Sequence, residues 1–324
     1  MKMRILSEAD VRAAVDMPSA IEAMRDAFSA LSSGQATVPM RLGLETAFGV
    51  SLFMPAHMKL SGQAGAKVVS VNPDNVSKGL PVIHAVVLVI DPVTGRPLAL
   101  MDGTWLTALR TGAVGGLAAE VLSRKDASVV ALFGAGVQAR TQLEAVRCVR
   151  DISEVRVVSL NGTSADQLAS EIEGVNALGL RDPDEAILGA DIVITATSSS
   201  TPVFDGSRIE PGTHVTGVGS FTVDMREVDA ELIARARVVV DQRDAILDEA
   251  GDIVGAIQDG VVDESVMHAE IGEILLQQKQ GRRDTEEITF FKSVGNAAQD
   301  LAVASRVLEI AEREDLGVIV DMGS

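Results

Sequence analysis

The stretch VVALFGAGVQAR, residues 129–140, decides the fold. Its first five residues are apolar and read as a strand buried on both faces. Gly134, Gly136 and Ala139 follow in G-x-G-x-x-A spacing, and a helix-forming run over 137–149 begins inside the motif. Each small residue has a physical reason. Gly134 permits the tight turn out of the strand, Gly136 lets a pyrophosphate approach the backbone, and Ala139 lets helix and strand pack closely. The helix start then offers its unpaired N–H groups to the phosphate. A strand before and a helix after are what distinguish a dinucleotide fingerprint from any glycine-rich turn, so NAD or NADP is the expected cofactor.

Downstream the chain alternates short β-rich runs with helical ones. Strands are expected at 129–133, 155–160, 175–178, 191–196, 213–218 and 237–240. This rhythm implies a parallel, doubly wound Rossmann sheet in the order 3-2-1-4-5-6, with the ligand at the switch point. A further strand at 288–292 and a helix at 296–313 close the chain, and that helix is expected to return to the first domain.

Upstream, Ser7 with Asp10 forms a capping box, and Pro18 opens an amphipathic helix that Gly34 closes. Candidate strands at 49–54, 66–71, 82–90 and 98–101 predict a small antiparallel sheet. A long helix over 104–122 contains Gly112, Gly115 and Gly116, each costing about 1 kcal/mol relative to alanine. Such a helix implies close backbone approach, either to a ligand or to another element. The predicted fold class is therefore α/β: a Rossmann domain over 123–295 plus a smaller α+β domain formed by 1–122 with 296–324.

Composition bounds the partners. The 324 residues carry a net charge of -18, which argues against nucleic acid or an anionic membrane surface. A single cysteine, Cys148, rules out an intrachain disulfide and suits a reducing cytoplasm. The opening MKMRILSEAD is not a signal peptide, and no apolar run is long enough to cross a bilayer, so a cytoplasmic location is expected. Histidines 57, 84, 214 and 268 lack metal-ligand spacing, and no metal site is expected.

The end of the second strand normally chooses between NAD and NADP, an acid binding the ribose 2′-OH and an arginine the 2′-phosphate. SLNGTS, residues 159–164, has neither; Asn161 offers a hydrogen bond to the ribose, and the missing arginine tilts the expectation toward NAD. TATSSS (195–200) and GVGS (217–220) follow strands four and five, which places Thr195, Ala196, Thr197, Val218, Gly219 and Ser220 beside the cofactor crevice. In the first domain Arg41, Lys67 and Arg110 stand in apolar or glycine-rich settings, where a cation is costly unless paired or liganded. Arginine's planar fork suits a substrate carboxylate, and a partly desolvated lysine can act as acid or base. Each cation taken alone is better read as reaching solvent or a structural carboxylate.

The set Arg41, FMPA (53–56), Lys67, PVIH (81–84), TALRTGA (107–113), GAGVQ (134–138) and KSVG (292–295) resembles the ornithine cyclodeaminase/mu-crystallin family over essentially the whole chain. That family includes ornithine cyclodeaminases, an archaeal-type alanine dehydrogenase, reductases of ketimines, pyrroline-2-carboxylate and iminosuccinate, and mu-crystallin, which binds NADPH and thyroid hormone. The resemblance implies that Arg41, Lys67 and Arg110 face the substrate carboxylate. It implies that Thr111 and the loop residues Gly134, Gly136, Val137 and Gln138 hold the pyrophosphate, with Lys292 and Gly295 counted among the cofactor residues. It also implies a homodimer joined through the first domain.

Two positions depart from the cyclodeaminase pattern. Phe221 stands where those enzymes carry a catalytic aspartate, and Leu52 where they carry a glutamate for the distal amine. A site without either carboxylate has no partner for a diamino acid, and unpaired recognition groups discriminate strongly. The expected function is thus an NAD(P)H-dependent reductase of a small 2-imino acid, with Lys67, Arg110 and Arg41 as its catalytic residues. An NAD-recycling cyclodeaminase and an NADPH-bound carrier are the two other readings.

Overall fold

The apolar run 129–133 forms the strand Val129–Phe133 at the heart of a parallel sheet. Alternate residues serve opposite faces: Val130 and Leu132 enter one hydrophobic core, Ala131 and Phe133 the other. A strand covered on both sides must be apolar at every position, which is why its sequence shows no alternation. The computed structural model describes residues 2–59 and 62–323. Its contacts divide the chain into Met1–Arg110 with Gly295–Ser324, and Thr111–Val294.

In the second unit the strands run Asn176–Leu180, Glu154–Val158, Val129–Phe133, Ile192–Thr195, His214–Gly217, Thr289–Lys292, Arg237–Val240 and Met267–Glu270, all parallel. The first five follow the expected order, with the switch point beside the glycine loop. The sixth expectation needs correction. Thr289–Lys292 lies between His214–Gly217 and Arg237–Val240, and Met267–Glu270 extends the edge. Phe290 and Phe291 point to opposite faces and both are fully buried, so this strand needs cover on each side and takes an interior place. Met267–Glu270 carries a histidine and a glutamate and gives no apolar run to read.

The glycines of the Thr104–Leu122 helix meet another element. A Cβ on Gly112 would lie 2.7 Å from the Thr141 carbonyl carbon, and one on Gly115 would overlap the Gln142 side chain. Gln142 Nε2 donates to the Thr111 carbonyl at 2.6 Å. Helix–helix approach therefore accounts for Gly112 and Gly115.

The first unit is larger and more mixed than the small antiparallel sheet expected. Its strands run Val318–Asp321, Lys2–Leu6, Pro97–Asp102, Ile83–Ile90, Gln63–Val71, Gly49–Met58 and Ala36–Thr37, with Leu42–Thr46 also on Gly49–Met58. Lys2–Leu6 pairs parallel with Pro97–Asp102; the other pairings are antiparallel. The outer strands escaped notice because Lys2 and Arg4 interrupt the apolar pattern of one and both faces of the other are exposed. The capping box of Glu8–Ala14 forms as read, and Asp16 caps Met17–Ser32, which has Pro18 in its first turn. The closing helix Ala297–Glu314 packs on Met17–Ser32 and on the strands Gly49–Met58, Gln63–Val71 and Ile83–Ile90.

Gly112→Ala gains about 1 kcal/mol of helix propensity. It also forces a methyl into the Thr141 backbone, which overpacking costs of about 1–3 kcal/mol outweigh. The expected result is a lower thermal midpoint, read by circular dichroism; an unchanged or higher midpoint would show that the two helices separate freely.

Candidate active site

In the first unit the packing of Ala297–Glu314 on the sheet brings Asp300 against Lys67. Lys67 Nζ lies 2.8 Å from Asp300 Oδ2, and Arg110 Nε donates to Asp300 Oδ1 at 3.0 Å. Arg110 Nη1 also donates to Gln299 Oε1 at 2.7 Å. Arg41 Nη2 donates to the Gly295 carbonyl at 2.8 Å, and a Cβ on Gly295 would lie 3.0 Å from Arg110 Nη2. The three cations singled out from the sequence are thus gathered around residues 295–300, the entry to one helix.

Asp300 and Gln299 were missed by the sequence reading. Asp300 looks like an ordinary acid in a first helical turn, where the dipole favours it. The available signal was periodicity: Asp300, Ala304, Val307 and Ala311 share one stripe, and that stripe is buried. A carboxylate on such a stripe requires a cation partner.

Lys67 is 2% and Asp300 1% exposed, so the electrostatics are those of a low-dielectric site. Burial pushes Lys67 down to about 8; Asp300 opposes this, while Arg110 and Arg41 add to it. Burial would raise the Asp300 carboxyl, but Arg110 and Lys67 overcome it and hold the group below its ordinary value. One carboxylate is shared by Lys67 and Arg110, which leaves positive charge in excess.

In the second unit the glycine loop has the geometry a dinucleotide requires. Gly134 has φ +109°, and a Cβ there would run into the Ala196 carbonyl. Gly136 caps Val137–Val149 without any side-chain hydrogen bond, and no atom lies within 4 Å of where its Cβ would be. Open space therefore meets uncapped helical N–H groups, beside the exposed Val137 and half-buried Gln138. Thr111 uses its carbonyl to hold Gln142, and Asn161 Oδ1 accepts the Ser164 N–H at 3.0 Å.

The loops after strands four and five converge on a residue that sequence reasoning passed over, Glu227. Its carboxylate accepts the N–H groups of Thr197 (2.6 Å), Gly219 (2.7 Å) and Ser220 (3.1 Å) and the hydroxyls of Thr195 (3.1 Å) and Thr197 (2.8 Å). Burial pushes Glu227 up, with Lys292 working against it. Behind it, Asp252 Oδ1 accepts the Glu227 N–H at 2.6 Å, and Asp252 Oδ2 lies 2.7 Å from Lys292 Nζ. Thr195, Ser220 and Lys292, expected beside the cofactor, are 0% exposed. Their side chains serve Glu227, the Met225 carbonyl and Asp252 respectively, so the structure gives Lys292 an internal partner rather than an exposed one. Ala196, Thr197 and Gly219 stay half-buried, and Val218 is buried. Phe221 and Asp224 are exposed on the following loop, and Asp229 caps the Ala230–Arg235 helix.

Known proteins give a consistent picture. The alanine dehydrogenase of Archaeoglobus fulgidus is 39% identical over 317 residues, covering 98% of each chain. The Delta(1)-pyrroline-2-carboxylate reductase of Thermococcus litoralis, solved with NADH and L-proline, is 41% identical with a TM-score of 0.95, covering 98% of this chain and 99% of its own. An archaeal alanine dehydrogenase dimer with bound NAD is 38% identical with a TM-score of 0.95 over the full length of both chains. Residues 1–315 match the family description itself, and the chain belongs to the ornithine cyclodeaminase/mu-crystallin family.

Proposed function

We propose that this protein is an NAD(P)H-dependent reductase of a small 2-imino acid, or of the 2-oxo acid with ammonia or an amine, giving an L-amino acid. The observation that carries the reading is the sharing of one buried carboxylate, Asp300, by Lys67 and Arg110, a buried excess of positive charge suited to a carboxylate, with the half-buried Arg41 close by. Relatives named as an alanine dehydrogenase and a pyrroline-2-carboxylate reductase support the same chemistry.

In this reading the domain of residues 1–122 with 296–324 binds the substrate, and 123–295 holds the dinucleotide. Arg110 and Arg41 clamp the carboxylate, which fixes the imine carbon in place and removes much of the entropic barrier. Reduced nicotinamide, when bound, supplies the hydride. Lys67 gives a proton to the imine nitrogen, directly or through a water it holds, because the protonated imine is the better electrophile. Gly134, Gly136, Val137 and Gln138 receive the pyrophosphate with Thr111, while Glu227 holds the loops of Ala196, Thr197 and Gly219 in place. Gly295 keeps Arg41 and Arg110 together. Phe221 and Leu52, apolar where a cyclodeaminase has carboxylates, count against a diamino acid. Leu42, Leu44 and Phe53 form an exposed apolar patch on the paired strands Leu42–Thr46 and Gly49–Met58, which supports a homodimer joined through this domain.

The first test follows NADH and NADPH absorbance against cyclic imino acids and against 2-oxo acids with ammonia or methylamine. Imine-dependent oxidation of either cofactor is expected; none with any substrate would leave the carrier reading, and ammonia release from ornithine without net cofactor change would indicate cyclodeamination.

The second concerns pH. Lys67 must be protonated to act as an acid, so kcat/KM for reduction should hold below its pKa and fall as pH rises through about 8. Asp300 raises the lysine's pKa, so Asp300→Asn should move that fall to lower pH. It should also cost about 3–5 kcal/mol of stability by stranding buried cations. A profile that stays in place in the folded variant would remove Lys67 from the acid role.

A further inference from the structure

The adenosine ribose of a bound dinucleotide lies beyond the second strand, and the residues there decide whether a 2′-phosphate is admitted. In the sequence that place is SLNGTS, which contains no cation. The fold supplies one from elsewhere. Glu154–Val158 and Asn176–Leu180 pair in parallel with Val158 opposite Leu180, so Ser159 and Arg181 leave the sheet side by side at its carboxyl edge.

Gly162 turns the chain there with φ +62°. A Cβ at Gly162 would lie 2.7 Å from Arg181 Cζ and 2.8 Å from Arg181 Cδ. The guanidinium thus occupies the space that a side chain within SLNGTS would have taken. Arg181 Nη1 donates to Asp166 Oδ1 at 3.1 Å, and Nη2 donates to Asp166 Oδ2. Both side chains are more than half exposed, so water screens the pair and a stronger anion can compete for the arginine. Phosphate is such an anion, because the guanidinium fork matches its oxygens and the bonds are charge-assisted.

We infer that Arg181 is the specificity residue by which this protein accepts the 2′-phosphate of NADPH, and that Asp166 opposes it. The inference rests on the dinucleotide reading of the glycine loop and goes beyond it. An arginine missing from the second strand's end does not make this an NADH-only site, because the third strand's end delivers one to the same turn. Asp166 holds Arg181 over Gly162, and its single negative charge repels a dianionic phosphate nearby, so the pair sets the ratio of NADPH to NADH affinity. Arg181 touches neither substrate nor nicotinamide, and it acts on binding rather than on hydride transfer.

The experiment titrates wild type, Arg181→Ala and Asp166→Asn with NADPH and with NADH, following nicotinamide fluorescence at low and high KCl. Arg181→Ala is expected to weaken NADPH by about tenfold or more, the loss of a charged hydrogen bond, while NADH changes by less than about twofold. Asp166→Asn is expected to change the ratio in the opposite direction, tightening NADPH relative to NADH. High salt should weaken NADPH more than NADH in wild type, and that difference should shrink in Arg181→Ala.

Because Asp166→Asn carries the opposite sign, a general disturbance of the turn cannot reproduce the pattern. Equal losses for both cofactors in Arg181→Ala, or an unchanged ratio in either variant, would overturn the inference while leaving the dinucleotide site standing. So would a wild-type protein that binds NADH and excludes NADPH. Failure of the wild type to bind either cofactor would instead overturn the dinucleotide reading, and this inference with it.

Discussion

Asp300 is shared by Lys67 and Arg110, and the chemistry of the first unit depends on that arrangement. Two cations buried among aliphatic residues would each carry a large desolvation cost. One carboxylate offsets part of it, lowers neither charge to zero, and keeps the lysine close to the pH at which it can exchange a proton. The remaining positive charge is what the proposed reading offers to a substrate carboxylate. The overall charge of -18 says nothing against this, because a buried site responds to its neighbours and distant surface charges are screened. Helix packing sets the geometry: Ala297–Glu314 must lie on the sheet for Asp300 to reach Lys67.

The second unit uses the same device with the opposite sign. Glu227 gathers five donors from the ends of two strands, and Asp252 with Lys292 anchors the backbone behind it. Loops that border a ligand need small residues so that the ligand can approach, and small residues fold loosely unless something holds them. A fully buried carboxylate bonded to their N–H groups supplies that rigidity without adding bulk on the ligand side. The two loops are held rigid by charge placed behind them.

Much of this was legible in the sequence, for physical reasons that can be named. The run 129–133 and its glycines announced themselves because a doubly covered strand must be apolar and a phosphate loop must be small. Thr104–Leu122 appears with the boundaries its helical pattern set, and Gly112 and Gly115 mark helix contact. Arg41, Lys67 and Arg110 stood out as cations in apolar surroundings. What stayed hidden was partnership. Asp300, Glu227 and Asp252 each look like routine helix or loop acids, and only the fold shows that they face inward. Arg181 lies some twenty residues from the turn it fills, and strand register alone brings it there. Strand order beyond the fifth position was equally invisible, since Thr289–Lys292 enters the sheet from far along the chain.

The claim that a buried excess of cations receives the substrate carboxylate is tested most directly at Arg110. Its guanidinium reaches Asp300 and Gln299 within one unit. Steady-state kinetics of Arg110→Ala should show kcat/KM for the imino acid falling by at least about thirtyfold, as expected for a truncated buried charge pair, with NADH affinity preserved. A variant that keeps the wild-type KM and kcat/KM for the imino acid would contradict the account.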